Sequence, residues 1–173
     1  RIFGLAKKRE SVHEALVATC DEFFLSLCVD DCSEIKKQAY FFRVARHVLV
    51  ETTVPVSYRL ATPVDLELIR GHSDGFFDEA LERQLRDGEV YLGLSQQTPI
   101  AFGVFERGKI LQDHVSIGMY TAPEHRGKHV GRATLLFLIH EAQDAGLTPI
   151  AGCWYYNHAS KRTLEGAGMI SNT

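Results

Sequence analysis

A cluster of cationic side chains surrounds a turn that leads into an apolar helix. Residues 126–132 read RGKHVGR, and residues 133–142 that follow are mostly apolar. Cations are unfavourable at a helix N-terminus, where the macrodipole is positive, unless an anion lies among them. Helix-terminal N–H groups bind phosphate well, and glycines let the backbone approach it closely. The sequence therefore predicts a site for a phosphorylated ligand at a strand-to-helix turn.

The composition excludes several classes of partner. The 173 residues carry a net charge of −3, and 45% of them are apolar, which suits one globular domain with or without an extension. This charge provides no broad basic field for nucleic acid or a membrane surface. No apolar run approaches the roughly 20 residues that span a bilayer, and no secretory signal is visible. We therefore expect a cytoplasmic protein that binds neither nucleic acid nor membranes.

The four cysteines indicate neither a disulfide framework nor a metal site. Cys20, Cys28 and Cys32 lie in one apolar helical stretch, and Cys153 lies in a predicted strand. Cys28 and Cys32 could join His13 as zinc ligands, but their spacing fits no standard zinc motif. We expect reduced, buried thiols and no metal.

Two helices are predicted ahead of the main domain. Apolar residues recur at helical spacing from residue 12 to residue 27, after a capping box formed by Ser11 and Glu14. A second apolar stripe follows at positions 35, 39, 42 and 49. The pattern predicts an N-terminal helical hairpin, in an extension of residues 1–52, that packs on the main domain or on a second subunit. A substrate lid is the alternative.

Residues 53–173 predict a domain that mixes strands and helices. A strand is indicated at residues 56–60. Three more are indicated at residues 89–95, 100–106 and 109–120, with turns at Thr98-Pro99 and Arg107-Gly108, as in an antiparallel meander. Short helices are indicated at residues 64–70 and 75–86. The helix after the cationic turn, residues 130–145, should lie buried against the sheet. A strand at residues 150–155 and a helix at residues 157–167 follow, and Met169 begins a strand that the sequence leaves incomplete.

This order of elements, together with two motifs, resembles the GNAT superfamily of acyl-CoA-dependent N-acetyltransferases. The first motif is the turn at residues 126–131, and the second runs from Asn157 to Met169, one helix and one strand later. The resemblance covers residues 56–170. It implies an α/β fold with a mixed, largely antiparallel sheet flanked by helices, and acetyl-CoA as the cosubstrate. The second motif also resembles the branch that includes ribosomal-protein N-terminal acetyltransferases.

The resemblance assigns roles in cofactor binding. The strand before the loop would pair with the pantetheine arm and would splay from the strand at residues 150–155, leaving a cleft for the thioester. An N–H of Tyr120 or Thr121 would polarise the thioester carbonyl. Asn157 would hydrogen-bond the pantetheine arm, with Ser160 and Arg162 near the thiol and the phosphates. The residues implied for acetyl-CoA binding are Met119, Tyr120, Thr121, Arg126, Gly127, Lys128, His129, Val130, Gly131, Arg132, Asn157 and Arg162.

Two positions depart from the family pattern. His129 replaces the first glycine of the loop, where its side chain would either obstruct the pyrophosphate or contact it as an imidazolium. Histidine is among the residues that tolerate left-handed backbone, so we expect an intact loop. Leu164 replaces the tyrosine that commonly protonates the departing thiolate. Ser160, a nearby tyrosine such as Tyr155 or Tyr156, or water would then supply the proton.

Acyl transfer to an amine also requires a base, because an alkylammonium has a pKa of about 10.4. In the family the base comes, often through water, from the strand that enters the loop, and here this strand holds Asp113 and His114. Alternation along a strand places these two side chains on opposite faces, so only one of them can face the cleft. Both are candidates, beside a surface pair with no catalytic role.

The sequence thus predicts an N-acetyltransferase that moves an acetyl group from acetyl-CoA to a primary amine by direct attack. The alternatives are a transferase for another acyl group and a non-catalytic CoA-binding module. We expect Cys153 to pack in its strand rather than to carry an acyl group. The acceptor is a small-molecule or peptide amine, with Phe76 and Phe77 as candidate contacts. The aromatic residues 154–156 either contact the acceptor or, as the favoured alternative, pack at the end of their strand. A homodimer, through an edge strand or the helical hairpin, is an open alternative.

Overall fold

Seven strands form one sheet in the part of the chain that the computed structural model describes, residues 39–45, 54–77, 79–108 and 111–171. The strands are β1 (Ala39–Val44), β2 (Ser57–Leu60), β3 (Val90–Ser95), β4 (Thr98–Arg107), β5 (His114–Thr121), β6 (Thr148–Trp154) and β7 (Met169–Ile170). Their order across the sheet is β2-β3-β4-β5-β6-β1-β7. This largely antiparallel α/β sheet confirms the predicted fold class.

The sheet opens between β5 and β6, which are adjacent and run parallel. Strands β3 to β5 form the predicted antiparallel meander, and β2 pairs antiparallel with β3. Strand β6 lies parallel to β5, but the two pair only from His114 with Thr148 to Ser116 with Ile150. Beyond Ser116, the edge of β5 that faces β6 has no strand partner in the described ranges. The strands therefore separate towards their C-terminal ends, as the resemblance implied.

Helices cover the two faces of the sheet unequally. Helix α3 (Val130–Asp144) and helix α4 (His158–Gly166) pack on one face, over a core that reaches from β4 to β7. Helix α1 (Leu66–His72) and helix α2 (Leu81–Arg86) pack on the other face, over a smaller core on β3, β4 and the end of β5. A side chain at Gly103 would meet Leu138 at 3.1 Å, so this glycine lets α3 approach the sheet closely.

The second helix of the predicted N-terminal hairpin is wrong where the structure describes it. Residues 39–44 form strand β1, which lies between β6 and β7 and pairs antiparallel with both. Apolar residues at positions 39 and 42 fit helical spacing, but Tyr40, Phe42 and Val44 also alternate, and aromatic residues favour strands. The strand was favoured because residues 39–44 can hydrogen-bond to the edges of both β6 and β7. The remainder of the hairpin, and the Cys28, Cys32 and His13 set, lie outside the described residues.

Three smaller predictions also needed correction. The chain turns at Gln96 and Gln97 rather than at Thr98-Pro99, because both glutamines adopt the positive φ (48° and 69°) that a two-residue hairpin turn requires. The helix predicted at residues 75–86 begins only at Leu81, after a turn at Asp74 and Gly75 with positive φ. The strand predicted from residue 109 begins at His114.

Within the described ranges, no helix has the length and apolarity needed to cross a bilayer. No group of three or more His, Cys, Asp or Glu side chains in those ranges could hold a metal ion.

Candidate active site

A cavity of about 610 Å³ lies where β5 and β6 separate, at the N-terminus of α3. Its walls come from the end of β5, the loop that follows, the first turn of α3, one face of α4 and the segment between α1 and α2. The lining residues are Phe76, Met119, Tyr120, Thr121, His125, Arg126, Gly127, His129, Val130, Gly131, Arg132, Asn157, Ala159, Ser160, Arg162, Thr163 and Gly166. The structure therefore brings together most of the residues that the two motifs predicted. Lys128 of the predicted loop does not line the cavity.

The loop before α3 adopts the conformation that glycine normally provides. Gly127 has a φ of +73°, and His129 has a φ of 62° and a ψ of 10°, in the left-handed region. His129 precedes the first residue of the helix, and its carbonyl accepts the N–H of Ala133 at 3.0 Å. Replacement of glycine by histidine has therefore left the turn intact, as the tolerance of histidine for this region predicted.

The N-terminus of α3 faces the cavity without a negative group of its own. Its first turn contains no acidic residue, and no side chain caps it. The first N–H groups of a helix have no partner inside the helix. Arg126, Arg132 and Arg162 line the same cavity, and Arg126 is held there because its Nε donates to the carbonyl of Thr121 at 3.1 Å. Helix dipole and side chains thus both favour an anion here.

Three polar atoms on the cavity wall are buried without a hydrogen-bond partner among the residues that the structure describes. They are the hydroxyl of Tyr120, Oγ1 of Thr121 and Nε of Arg132. A buried polar group without a partner costs roughly 1–3 kcal/mol, more for a charged one. Three such atoms on one cavity are therefore most simply explained by a polar ligand that completes their hydrogen bonds.

Gly131 allows β5 and α3 to approach each other at the base of the cavity. A Cβ there would lie 3.1 Å from Oγ1 of Thr121, 3.3 Å from Sδ of Met119 and 3.4 Å from Cγ2 of Thr163. Such contacts are tighter than ordinary packing, so a larger residue would push the helix away from the strand. The glycine thus keeps the first turn of α3 next to the open edge of β5.

Helix α4 contributes one face to the cavity, beginning with Asn157. Oδ1 of Asn157 accepts the N–H of Ser160 at 3.0 Å and so caps the helix. This fixes the amide so that its NH₂ group remains available to a carbonyl in the cavity. Ala159, Thr163 and Gly166 were not predicted as site residues, although their spacing of four and three places them on one face of α4. His125 was also not predicted.

The candidate bases lie near the point where β5 and β6 begin to separate. Nδ1 of His114 is 2.7 Å from Oδ1 of Asp113, and this hydrogen bond lowers the pKa of the Asp113 carboxyl. Asp113 lies in the turn before β5, so strand alternation does not apply to it. Val115 and Ile117 point into the core under α3, which places His114 and Ser116 on the opposite face. Neither Asp113 nor His114 lines the cavity.

Other candidate groups lie in packed surroundings. Leu164, at the position of the family tyrosine, is 3% exposed in the core. Cys153 belongs to the same core, and burial raises the pKa of its thiol. Tyr155 stacks on Tyr40 at 5.1 Å between ring centroids and meets Tyr156 edge-on at 5.0 Å. Neither Tyr155 nor Tyr156 lines the cavity, whereas Ser160 does.

Comparison with protein families gives two matches. A model of the GNAT acetyltransferase family matches residues 59–169. A second model, of a GNAT acetyltransferase domain, matches residues 1–45, which include β1. No curated protein matches the sequence.

Solved structures share this fold at low sequence identity. A GNAT-family acetyltransferase from Colwellia psychrerythraea has a TM-score of 0.78 at 18% identity, over 98% of this chain and 67% of its own. A ribosomal-protein-alanine N-acetyltransferase from Brucella melitensis has a TM-score of 0.55 at 23% identity, over 65% of this chain and 83% of its own. A Salmonella typhimurium protein solved with its cofactor acetyl-CoA has a TM-score of 0.53 at 23% identity, over 66% of this chain and 79% of its own.

Proposed function

The chain belongs to the GNAT acetyltransferase family, which uses acetyl-CoA, and from this premise we propose that it transfers an acetyl group from acetyl-CoA to a primary amine by direct attack. The observation that carries the proposal is that Oγ1 of Thr121 and Nε of Arg132, which have no partner among the described residues, lie on a cavity at the N-terminus of α3. A phosphorylated, amide-containing ligand has the groups that these atoms lack. The acceptor amine is a small molecule or the end of a peptide.

The residues present fit acetyl-CoA along the length of the cavity. The pyrophosphate would be held by the N–H groups at residues 130–132 together with Arg126 and Arg132, where helix dipole and guanidinium charge act together. The pantetheine arm would lie along the unpaired edge of β5 from Met119 to Thr121 and would receive the amide NH₂ of Asn157. Arg162 would approach the phosphates from α4. Bound there, acetyl-CoA supplies the thioester between the separated strands.

The chain itself supplies polarisation and proton transfer. An N–H of Tyr120 or Thr121, on the open edge of β5, would donate to the thioester carbonyl and increase its electrophilicity. Ser160, the hydroxyl on α4 that lines the cavity, would donate a proton to the departing thiolate in place of the family tyrosine. Its hydroxyl would act together with water, since a serine hydroxyl is a weak acid.

Proton removal from the ammonium form of the acceptor is proposed for His114. It shares a strand face with Ser116, two residues before the strands separate, and its Nδ1 contacts the Asp113 carboxylate. That contact would fix the orientation of the imidazole ring. Since neither residue lines the cavity, His114 would act through water along this face of β5.

Calorimetric titration of the full chain with acetyl-CoA, desulfo-CoA and ATP tests the proposal. We expect micromolar binding of both CoA compounds and much weaker binding of ATP, followed by amine-dependent release of CoA. Substitution His114→Gln should lower kcat and remove the acid limb of its pH profile without changing desulfo-CoA binding.

The other outcomes separate the alternatives. Tight CoA binding with no transfer to any amine would establish a non-catalytic CoA-binding module, which the replacement of the tyrosine by Leu164 favours. Faster turnover with succinyl-CoA or propionyl-CoA than with acetyl-CoA would establish a transferase for another acyl group. Competition by ATP as strong as that by CoA would indicate a plain nucleotide-phosphate site.

A further inference from the structure

The sheet face opposite α3 and α4 carries exposed aromatic residues next to the cavity. Side chains on this face alternate with those that enter the core, such as Phe42, Ala151 and Cys153. The face therefore presents Phe41 from β1 and Trp154 from β6, which are 62% and 70% exposed. Helices α1 and α2 cover β3, β4 and the end of β5, and in the described part of the chain they do not extend over β6 and β1.

Two glycines form the floor between the separating strands. When the parallel register of β5 and β6 is continued past Ser116 and Ile150, Gly118 lies level with Gly152, and Tyr120 lies level with Trp154. A Cβ at Gly118 would lie 3.7 Å from Cβ of Val104, and one at Gly152 would lie 3.6 Å from the carbonyl of Tyr40. Both are ordinary contacts, and neither glycine has a positive φ. Local geometry therefore does not require glycine at either position.

Aromatic rings flank this bare floor on both sides. On the β5 side, the ring of Phe76 lies 5.4 Å from that of Tyr120, and both residues line the cavity. On the β6 side are Trp154 and, beside Gly152 on the neighbouring strand, Phe41. We call this surface, made of Gly118, Gly152, Tyr120, Phe76, Trp154 and Phe41, the aromatic trough.

The charges around the aromatic trough disfavour a polycationic acceptor. Among the described strand positions on this face, Glu106 of β4 carries the one carboxylate, and Arg83 pairs with it at 2.9 Å. Arg43 lies two residues beyond Phe41 on the same face, His114 lies at the start of β5, and Cζ of Arg126 lies 5.6 Å from the centroid of the Tyr120 ring. A polyamine or an aminoglycoside needs several acidic partners, and Glu106 is already paired with Arg83, whereas a planar apolar group can stack on the rings.

Resting on the proposed function, we infer that the acceptor is a primary amine joined by a short aliphatic linker to a planar aromatic group. The aromatic group lies on the glycine floor between the Tyr120 and Trp154 sides, and the linker brings the amine to the opening between β5 and β6. The buried hydroxyl of Tyr120, which has no protein partner, accepts a hydrogen bond from the amine. In the reaction the amine nitrogen forms a bond to the acetyl carbon as the carbon–sulfur bond breaks, the sulfur leaves with the bond pair, and one amine proton passes to water or base.

The one tryptophan of the sequence reports on the aromatic trough directly. Trp154 is the only tryptophan among the 173 residues, so selective excitation observes this surface alone. The full chain, saturated with desulfo-CoA to prevent turnover, is titrated with phenethylamine, butylamine and spermidine. We expect phenethylamine to change the Trp154 emission saturably at concentrations about tenfold lower than butylamine, with spermidine without effect, and kcat/KM with acetyl-CoA to follow the same order.

Substitution of the floor supplies the matched variant. Gly152→Val fills the aromatic trough and should raise KM for phenethylamine about tenfold, with desulfo-CoA affinity unchanged. Gly71→Val, at a helical glycine with open space around it, is the control and should change neither quantity. Equal or better turnover of butylamine or spermidine would overturn the inference, as would unchanged Trp154 emission during saturation by the best acceptor. Emission that depends on protein concentration without amine would show instead that two copies meet at this face. Absence of desulfo-CoA binding in the calorimeter would refute the proposed function itself.

Discussion

The two sides of the opening between β5 and β6 differ in chemistry and in origin. The donor side, at the N-terminus of α3, is rich in arginine and backbone N–H groups, and its residues come from two short motifs. The acceptor side is aromatic, and its residues come from three distant segments, represented by Phe41, Phe76 and Trp154. The residues that bind the cofactor can therefore be recognised from short stretches of sequence. The residues that would bind the acceptor come together only in the folded structure.

Loss of one donor-side charge should have the largest effect. Arg132→Met removes a guanidinium whose Nε is buried without a protein partner, so the free protein should lose little stability. Affinity for desulfo-CoA should fall about 30- to 100-fold, corresponding to roughly 2–3 kcal/mol for a charged hydrogen bond. Calorimetry measures this loss, and Arg86→Met, at an exposed helix end, is the control. A rise of about 30- to 100-fold in KM for the amine in the same variant would show that the donor side and the acceptor side do not bind their ligands independently.

The helices on the two sides are anchored by different chemistry, which acid should distinguish. The Asp65 carboxylate, 9% exposed at the start of α1, accepts two hydrogen bonds from Arg59 and one from the N–H of Thr62. These partners hold its pKa well below the usual range. Stability from a lowered carboxyl pKa is present above the unfolded value of about 4 and is lost as the pH falls further. Asp65→Asn should cost roughly 2 kcal/mol at neutral pH and progressively less below about pH 4.

The anchor on the donor side is neutral by comparison. The hydroxyl of Tyr58 lies 3.2 Å from Oγ1 of Thr134, which donates to the carbonyl of Val130 at 3.0 Å. Burial raises the pKa of Tyr58, so the phenol stays neutral in acid. Tyr58→Phe should cost about 1 kcal/mol with no acid dependence. Urea unfolding of both variants between neutral pH and pH 3 measures the difference, and parallel pH profiles would contradict the assignment.

Tyr120 lies between the donor side and the acceptor side, and we expect its hydroxyl to affect the kinetics of the amine but not the binding of CoA. Tyr120→Phe keeps the ring that packs against Phe76 and Phe102 and removes the partnerless hydroxyl. We expect kcat/KM for the amine to fall about five- to tenfold, because one hydrogen bond to the acceptor is lost. Thermal stability and desulfo-CoA affinity should be unchanged. Weaker CoA binding with unchanged amine kinetics would show that this hydroxyl binds the cofactor rather than the acceptor.

The smallest expected effect concerns His129. It separates the contribution of the charged side chain to CoA binding from that of the left-handed backbone. If its imidazolium contacts the pyrophosphate, CoA affinity should be about threefold stronger at pH 6 than at pH 8, because a protonated ring adds a charge-assisted hydrogen bond. His129→Gly should remove this slope and should also relieve a positive φ of 62°. Calorimetry at pH 8 and pH 6 measures both variants. A slope that persists in His129→Gly would assign it to another group.

The elements that the sequence predicted well are those with strong local signals. The two motifs predicted the loop from residue 126 to residue 132, the buried helix α3 and the cap at Asn157, because glycine, helix caps and apolar periodicity act over a few residues. The tolerance of histidine for left-handed backbone predicted the conformation of His129. The roles of Asp113, His114 and Ser160 stay predictions, with Ser160 placed on the cavity and the other two outside it.

The sequence by itself determined the family, the cofactor loop and the α/β class of this protein, since each depends on contiguous residues whose backbone requirements are local. Only the tertiary structure decided that residues 39–44 form a strand between β6 and β7, because two unpaired strand edges outweigh an ambiguous apolar pattern. It likewise placed Phe41 and Trp154 on adjacent strands of one sheet face. Their proximity arises from the order and register of the strands. These depend on hydrogen bonds between distant segments and cannot be recognised in the sequence of any one segment.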